Sequence, residues 1–175
     1  AALPSSEMYE RSFMHRDHVT HIVVTASDFV VTASRDGQVK FWKKGPASCE
    51  FVKHFRSHVG AVTGMSASSD GTFLATTCAQ DQSLKMYDIV NFDMISMVKL
   101  PYQPAACAWV SRKGAADGVV AVSAKDSPSI RLYRARSGSS EPVSENSSVH
   151  AAPVRLMAYN SAHHAVVSAD ERGMV

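Results

Sequence analysis

Apolar and polar positions alternate in short runs along this chain, and the runs come in groups of four. Thr20–Val24, Phe29–Ala33, Val39–Trp42 and Glu50–His54 form the first group, separated by Ala26-Ser-Asp28 and by Asp36-Gly37. Ala61–Met65, Thr72–Cys78, Leu84–Tyr87 and Met94–Val98 form the second, with a turn at Ser69-Asp-Gly71. Period-two alternation over four to eight residues predicts strands, and Asp-Gly between two such runs predicts a tight hairpin. No segment keeps helical spacing over three turns, and Gly, Ser, Asp and Asn punctuate the chain throughout. The pattern predicts an all-β protein of antiparallel four-stranded sheets.

The groups are copies of one unit. Ser34-Arg-Asp-Gly-Gln-Val-Lys-Phe-Trp42, Ala79-Gln-Asp-Gln-Ser-Leu-Lys-Met-Tyr87 and Ala124-Lys-Asp-Ser-Pro-Ser-Ile-Arg-Leu-Tyr133 share an ending, which sets Asp36, Asp81 and Asp126 at 45-residue intervals. Val166-Val-Ser-Ala-Asp-Glu-Arg-Gly-Met-Val175 starts a fourth copy. A His also precedes an apolar run at His18, His58 and His150. Four strands per period of about 45, with His early, Ser-x-Asp in the middle and Trp late, form the WD-repeat signature. The expected units are an N-terminal segment at 1–17, repeats at 18–58 and 58–100, a degenerate repeat at 101–149 and a truncated one at 150–175. Together they predict a β-propeller of about four blades, incomplete, with Glu7–Asp17 as a strand for a closing blade. The fourth copy stops inside a strand, which marks the chain as a piece of a longer protein.

The first copy carries the whole polar set, His18, Ser34, Asp36 and Trp42. An indole N–H, a hydroxyl that donates and accepts, a neutral imidazole and a carboxylate can satisfy one another in series. The reading assigns these four a structural role. Later copies depart from it: Ala79 and Ala124 replace the Ser, Tyr87 and Tyr133 replace the Trp, and Tyr102-Gln-Pro104 stands where the third His belongs. In the fourth copy, alignment on Gly173 puts Arg172 at the Asp36 position.

Composition narrows the function. The 175 residues carry a net charge of +2, too weak a field to imply nucleic-acid binding. No run of 18 apolar residues is present to span a membrane. Cys49, Cys78 and Cys107 have no metal-type spacing and read as free thiols of a reducing compartment. His15, His18 and His21 lack a Cys or carboxylate to complete a metal site. Ser34 with His18 imitates part of a nucleophilic triad, but its repeat context is structural. No catalytic residue, cofactor, metal or small-molecule substrate is expected in this segment. Lys40, Lys43, Lys44, Lys53 and Arg56, interleaved with Phe41 and Phe51, are the candidate partner-binding residues. An acidic protein, or more weakly RNA, is the ligand they suit, and a solvated outer strand edge is the plainer reading of the same residues.

Several peptides go beyond the generic repeat. Ser6-Glu-Met-Tyr-Glu-Arg-Ser-Phe-Met-His-Arg-Asp17, Val19-Thr-His-Ile22, Val39-Lys-Phe-Trp-Lys-Lys44, Glu50-Phe-Val-Lys-His-Phe-Arg-Ser-His58 and Val90-Asn-Phe-Asp-Met-Ile95 resemble the N-terminal region of the nuclear WD-repeat-containing cyclophilins. The resemblance runs from Ser6 to Asp170. It implies a propeller followed by a peptidyl-prolyl cis-trans isomerase domain outside this chain, association with spliceosomal proteins, and a nuclear location, with the cytoplasm as a second one. It transfers no catalytic residue here. A generic WD-repeat adaptor without an isomerase, and an RNA-contacting module, are the alternatives.

Overall fold

The structure, a computed structural model, describes residues 13–46, 48–110 and 118–175. These residues form strands and turns and contain no helix. The first sheet comprises β1 (Val19–Val24), β2 (Phe29–Ser34), β3 (Gln38–Lys44) and β4 (Cys49–Arg56). The second comprises β5 (Val62–Ala67), β6 (Phe73–Cys78), β7 (Ser83–Asp88) and β8 (Asp93–Lys99). In the third, β9 (Pro104–Trp109), β10 (Val119–Ala124), β11 (Ile130–Arg134) and β12 (Ser144–Asn146) follow one another. β13 (Val154–Asn160) and β14 (Ala165–Asp170) pair as a two-stranded sheet. Every sheet runs in chain order and is antiparallel, as a series of blades requires. The strands expected in the first two units lie within two residues of the observed bounds. The blades do not close a ring, so the propeller is incomplete. The strand expected over Glu7–Asp17 lies outside the described residues as far as residue 12, and Phe13–Asp17 forms no strand.

Burial follows from each blade's neighbours. One face of blade 1, with Val31, Ala33, Val39 and Phe41, packs on Val62, Met65, Leu74, Tyr87 and Ile89 of blade 2. Blade 2 turns Ala75, Leu84, Met86 and Val98 toward Cys107, Trp109, Val120, Val122 and Tyr133 of blade 3. The middle strands β6 and β10 are therefore buried along both faces, which is why FLATTC and VVAVSA read as unbroken runs rather than alternations. β1 has one covered face, and Ile22 and Val24 on the other remain exposed.

Hydroxyl groups on the strands and in one turn lock one blade to the next. Ser27 Oγ donates to Gly71 O at 2.6 Å, and Thr63 Oγ1 to Pro104 O at 3.1 Å. Ser66 Oγ accepts from Trp109 N at 2.9 Å, and Ser123 Oγ donates to Val154 O at 2.9 Å. Each replaces water on a backbone group that strand pairing leaves free.

Candidate functional site

A buried polar chain recurs from blade to blade, and it is most complete in blade 2. His58 bridges Asp81 Oδ2 through Nδ1 and Thr76 Oγ1 through Nε2, both at 2.9 Å. Asp81 accepts from Ser83 Oγ at 2.7 Å and from Val59 N at 3.3 Å, and Tyr87 OH donates to Ser57 Oγ at 2.9 Å. In the last pair of strands, His150 meets Ser168 Oγ at 2.7 Å and Asp170 Oδ2 at 3.3 Å. Arg172 does sit at the Asp36 position of the turn, yet Asp170 at the strand's end supplies the carboxylate. Blade 3 has a substitute: Tyr102 OH lies 3.2 Å from Tyr133 OH, with the Arg131 guanidinium 4.4 Å from the Tyr102 ring centroid.

Blade 1 corrects the expected tetrad in two places. His18 is 87% exposed at its side chain and pairs with Asp17 at 3.0 Å, so it belongs to no buried chain. His15 takes its place, with Nε2 2.7 Å from Thr32 Oγ1. Trp42 Nε1 donates to that same Thr32 hydroxyl at 2.8 Å and not to Ser34. The hydroxyl that meets the His is in each case the fourth residue of the second strand, Thr32, Thr76 or Ser168. Ser34, at the strand's end, donates instead to Asp36. With Asp36 holding Ser34 and Gln38 N, His15 Nδ1 is left as a buried nitrogen without a partner among the described residues. Trp42 is half-buried, whereas Trp109, Tyr87 and Tyr133 are fully buried. The missed signal was spacing: His15, His58 and His150 each stand four residues before Val19, Val62 and Val154, the first apolar strand residue.

This chain holds structure together and presents no reactive group to solvent. Both ring nitrogens of His58 are committed, and Thr76 is fully buried. Cys78 joins His58 and Asp81 with ligand atoms within 4.8 Å of one another, but a metal there would have to displace an imidazole hydrogen bond, to Asp81 or to Thr76. Burial, opposed by Asp81, holds the His58 imidazole below its ordinary value of 6.5. Burial would raise the Asp81 carboxyl, but hydrogen bonds from Ser83, His58 and Val59 N outweigh it and hold the group below 3.8. For both groups the unfolded chain binds protons more readily, so stability falls as pH falls. We expect the melting midpoint to drop on acidification below pH 6.5 as the unfolded His58 takes its proton. It should drop again below 3.8 as Asp81 does. Thermal melts of wild type and His58→Gln check this; an undiminished upper step in the variant would remove His58 as its source.

The expected basic cluster is divided by the structure. Lys40 Nζ donates to Phe13 O at 2.6 Å and Met14 O at 3.0 Å, binding the N-terminal segment to β3. Lys53 Nζ reaches across to Phe92 O of blade 2 at 2.9 Å. Lys43, Lys44 and Arg56 are exposed. Phe41 is buried against blade 2, and Phe51 stacks on Phe13 with centroids 4.4 Å apart and planes 4° from parallel. Between the segment and β4 lies a groove of about 380 Å³ that Arg16, Lys40, His54 and Arg56 line together with the two stacked rings. Arg16 and His54 were not foreseen, because only folding brings residue 16 beside β4.

Successive antiparallel blades, with a His–hydroxyl–carboxylate chain complete in blade 2 and in the last pair of strands, define a WD-repeat segment. The WD domain, G-beta repeat family matches residues 10–43 and 49–88. Over 99% of its length the chain is similar to peptidylprolyl isomerase domain and WD repeat-containing protein 1 of Homo sapiens, at 46% identity, and to peptidyl-prolyl cis-trans isomerase CYP71 of Arabidopsis thaliana, at 44%. Peptidyl-prolyl cis-trans isomerase 9 of Schizosaccharomyces pombe is 32% identical over the same share. The chain spans 26–28% of the length of these relatives.

Proposed function

We propose that the chain is the protein-interaction scaffold of a peptidyl-prolyl cis-trans isomerase linked to pre-mRNA splicing, with the isomerase domain in another part of the protein. One observation carries this reading: an alignment through 99% of the chain with relatives whose names join a peptidylprolyl isomerase domain to WD repeats. The blades support it physically, since rigid sheets hold exposed outer strands and loops in fixed positions where partners can dock. The splicing link, spliceosomal partners and nuclear location rest on the family resemblance of the sequence. Uncatalysed X–Pro isomerisation takes tens to hundreds of seconds, so holding a proline-containing client near the isomerase raises the flux of that one substrate.

The whole protein and a version lacking this segment provide the test. Both should isomerise a short proline peptide at the same rate, while only the whole protein should co-purify spliceosomal proteins from nuclear extract. Equal recovery of those proteins by both versions would overturn the scaffold reading. A whole protein without isomerase activity would point to a plain WD-repeat adaptor.

A further inference from the structure

The outer edge of blade 1 differs in charge from the other outer edges. β3 and β4 carry five cations, Lys40, Lys43, Lys44, Lys53 and Arg56, against the single carboxylate Glu50. β7 and β8 balance Lys85 and Lys99 with Asp88 and Asp93. Charge on an edge strand can serve only to prevent strand-to-strand aggregation. That does not explain this distribution, because β8 is an equally open edge, lacks net charge, and exposes Met94 and Met97. Among the described residues, Arg16, Lys44 and Arg56 pair with no carboxylate, whereas Lys43 stands opposite Glu50 across β3 and β4.

The edge also stays open when a neighbouring blade is present. His54 lies opposite Lys40 and Arg56 opposite Gln38, as Met97 lies opposite Lys85 and Lys99 opposite Ser83 in blade 2. Blade 1 packs on that face of blade 2, yet Met97 is 52% exposed and Lys99 is exposed. The rings of the groove argue against nucleic acid. Single-stranded nucleic acids stack bases on open aromatic faces, whereas Phe51 has one face on Phe13 and Trp42 edge-on to it at 5.5 Å. Among the described residues, the feature left unpaired is the backbone of β4, the last strand of its sheet. A strand edge is recognised by an extended peptide.

Resting on the scaffold reading above, we propose that the β4 edge of blade 1 binds an extended acidic segment of a partner protein as an added strand, with Lys44, Arg56 and Arg16 meeting its carboxylates. The backbone pairing supplies the geometry, and the charge supplies selectivity and a salt-sensitive on-rate.

The test uses the whole protein and three labelled probes: a peptide of alternating glutamate and threonine, its glutamine counterpart, and oligouridylate. Fluorescence anisotropy should show the acidic peptide binding, and binding at least about tenfold more tightly than either other probe, with affinity falling as salt rises. The pair Lys44→Glu and Arg56→Glu should weaken it by about tenfold or more. Lys44→Gln with Arg56→Gln, at exposed positions, should weaken it in the same direction. A form of the acidic peptide N-methylated at alternate residues keeps its charge but cannot pair with an edge, and should bind wild type at least about tenfold more weakly. No binding of the acidic peptide, equal binding of the N-methylated form, indifference to both double variants, or preference for oligouridylate would each overturn the proposal. Spliceosomal proteins that still co-purify with the double variants would leave the scaffold reading standing, so the two can fail separately.

Discussion

Trp109→Ala should lower the unfolding free energy by about 3–5 kcal/mol, in the range for deleting a large core aromatic. The side chain is 1% exposed and fills the contact between blades 2 and 3. Its ring stacks on Phe73 at 5.6 Å with planes 8° apart, and a Cβ on Gly118 would stand only 2.3 Å from its Cζ2. The surroundings are thus shaped to the indole from both sides. β9 and β10 cannot collapse into the vacated space without breaking their register, in which Trp109 pairs with Val120. Denaturant unfolding of wild type and variant measures the effect, and Trp109→Phe should recover part of the loss by restoring the stack. A loss below about 1 kcal/mol for the alanine variant would show that the blades are not held by this contact.

Gly37→Ala should cost roughly 2–5 kcal/mol, combining a left-handed backbone with an overpacked contact. Gly37 has φ of +79°, and an added Cβ would lie 2.1 Å from His58 O and 2.8 Å from Gly60 O, both backbone atoms. Its own carbonyl accepts from Ser57 N and His58 N, each at 3.1 Å. The hairpin turn of blade 1 is therefore seated on the residue that heads the polar chain of blade 2, and a displaced turn disturbs both. Gly173 supplies the control, since it has φ of +80° with nothing within 4 Å. Gly173→Ala should show the backbone cost alone, about 1–2 kcal/mol. Equal losses at the two glycines, measured by the same unfolding experiment, would mean that the contact with blade 2 adds nothing.

Much of this architecture was legible before folding. The 45-residue spacing of Asp36, Asp81 and Asp126 marks the units, and alternation within each places strands closely in the first two. The polar chain was only half legible. Ser34 and Asp36, two residues apart at the turn, do bond each other, but two histidines, His15 and His18, precede the same strand, and only the fold shows that His15 joins the chain. Thr32 was missed because a Ser at the strand's end looks equivalent to it along the chain. The pleat turns both to the same face, and what separates them is that only Thr32 lies within reach of His15 and Trp42. The basic residues of β3 and β4 were likewise visible as a set, but not their division into Lys40 and Lys53, tied to carbonyls, and the free remainder.

By itself, then, the sequence determined the repeat, the strand pattern and the kinship to WD-repeat isomerases, because local alternation and turn chemistry act over a few residues and recur each period. Only the tertiary structure decided which His, hydroxyl and carboxylate meet, that blade 2 and not blade 1 closes the chain, and which cations stay free. Those outcomes depend on distances between residues far apart in sequence: Lys40 with Phe13, Lys53 with Phe92, Gly37 with His58. Such distances are set by the packing of one blade on the next and by strand register.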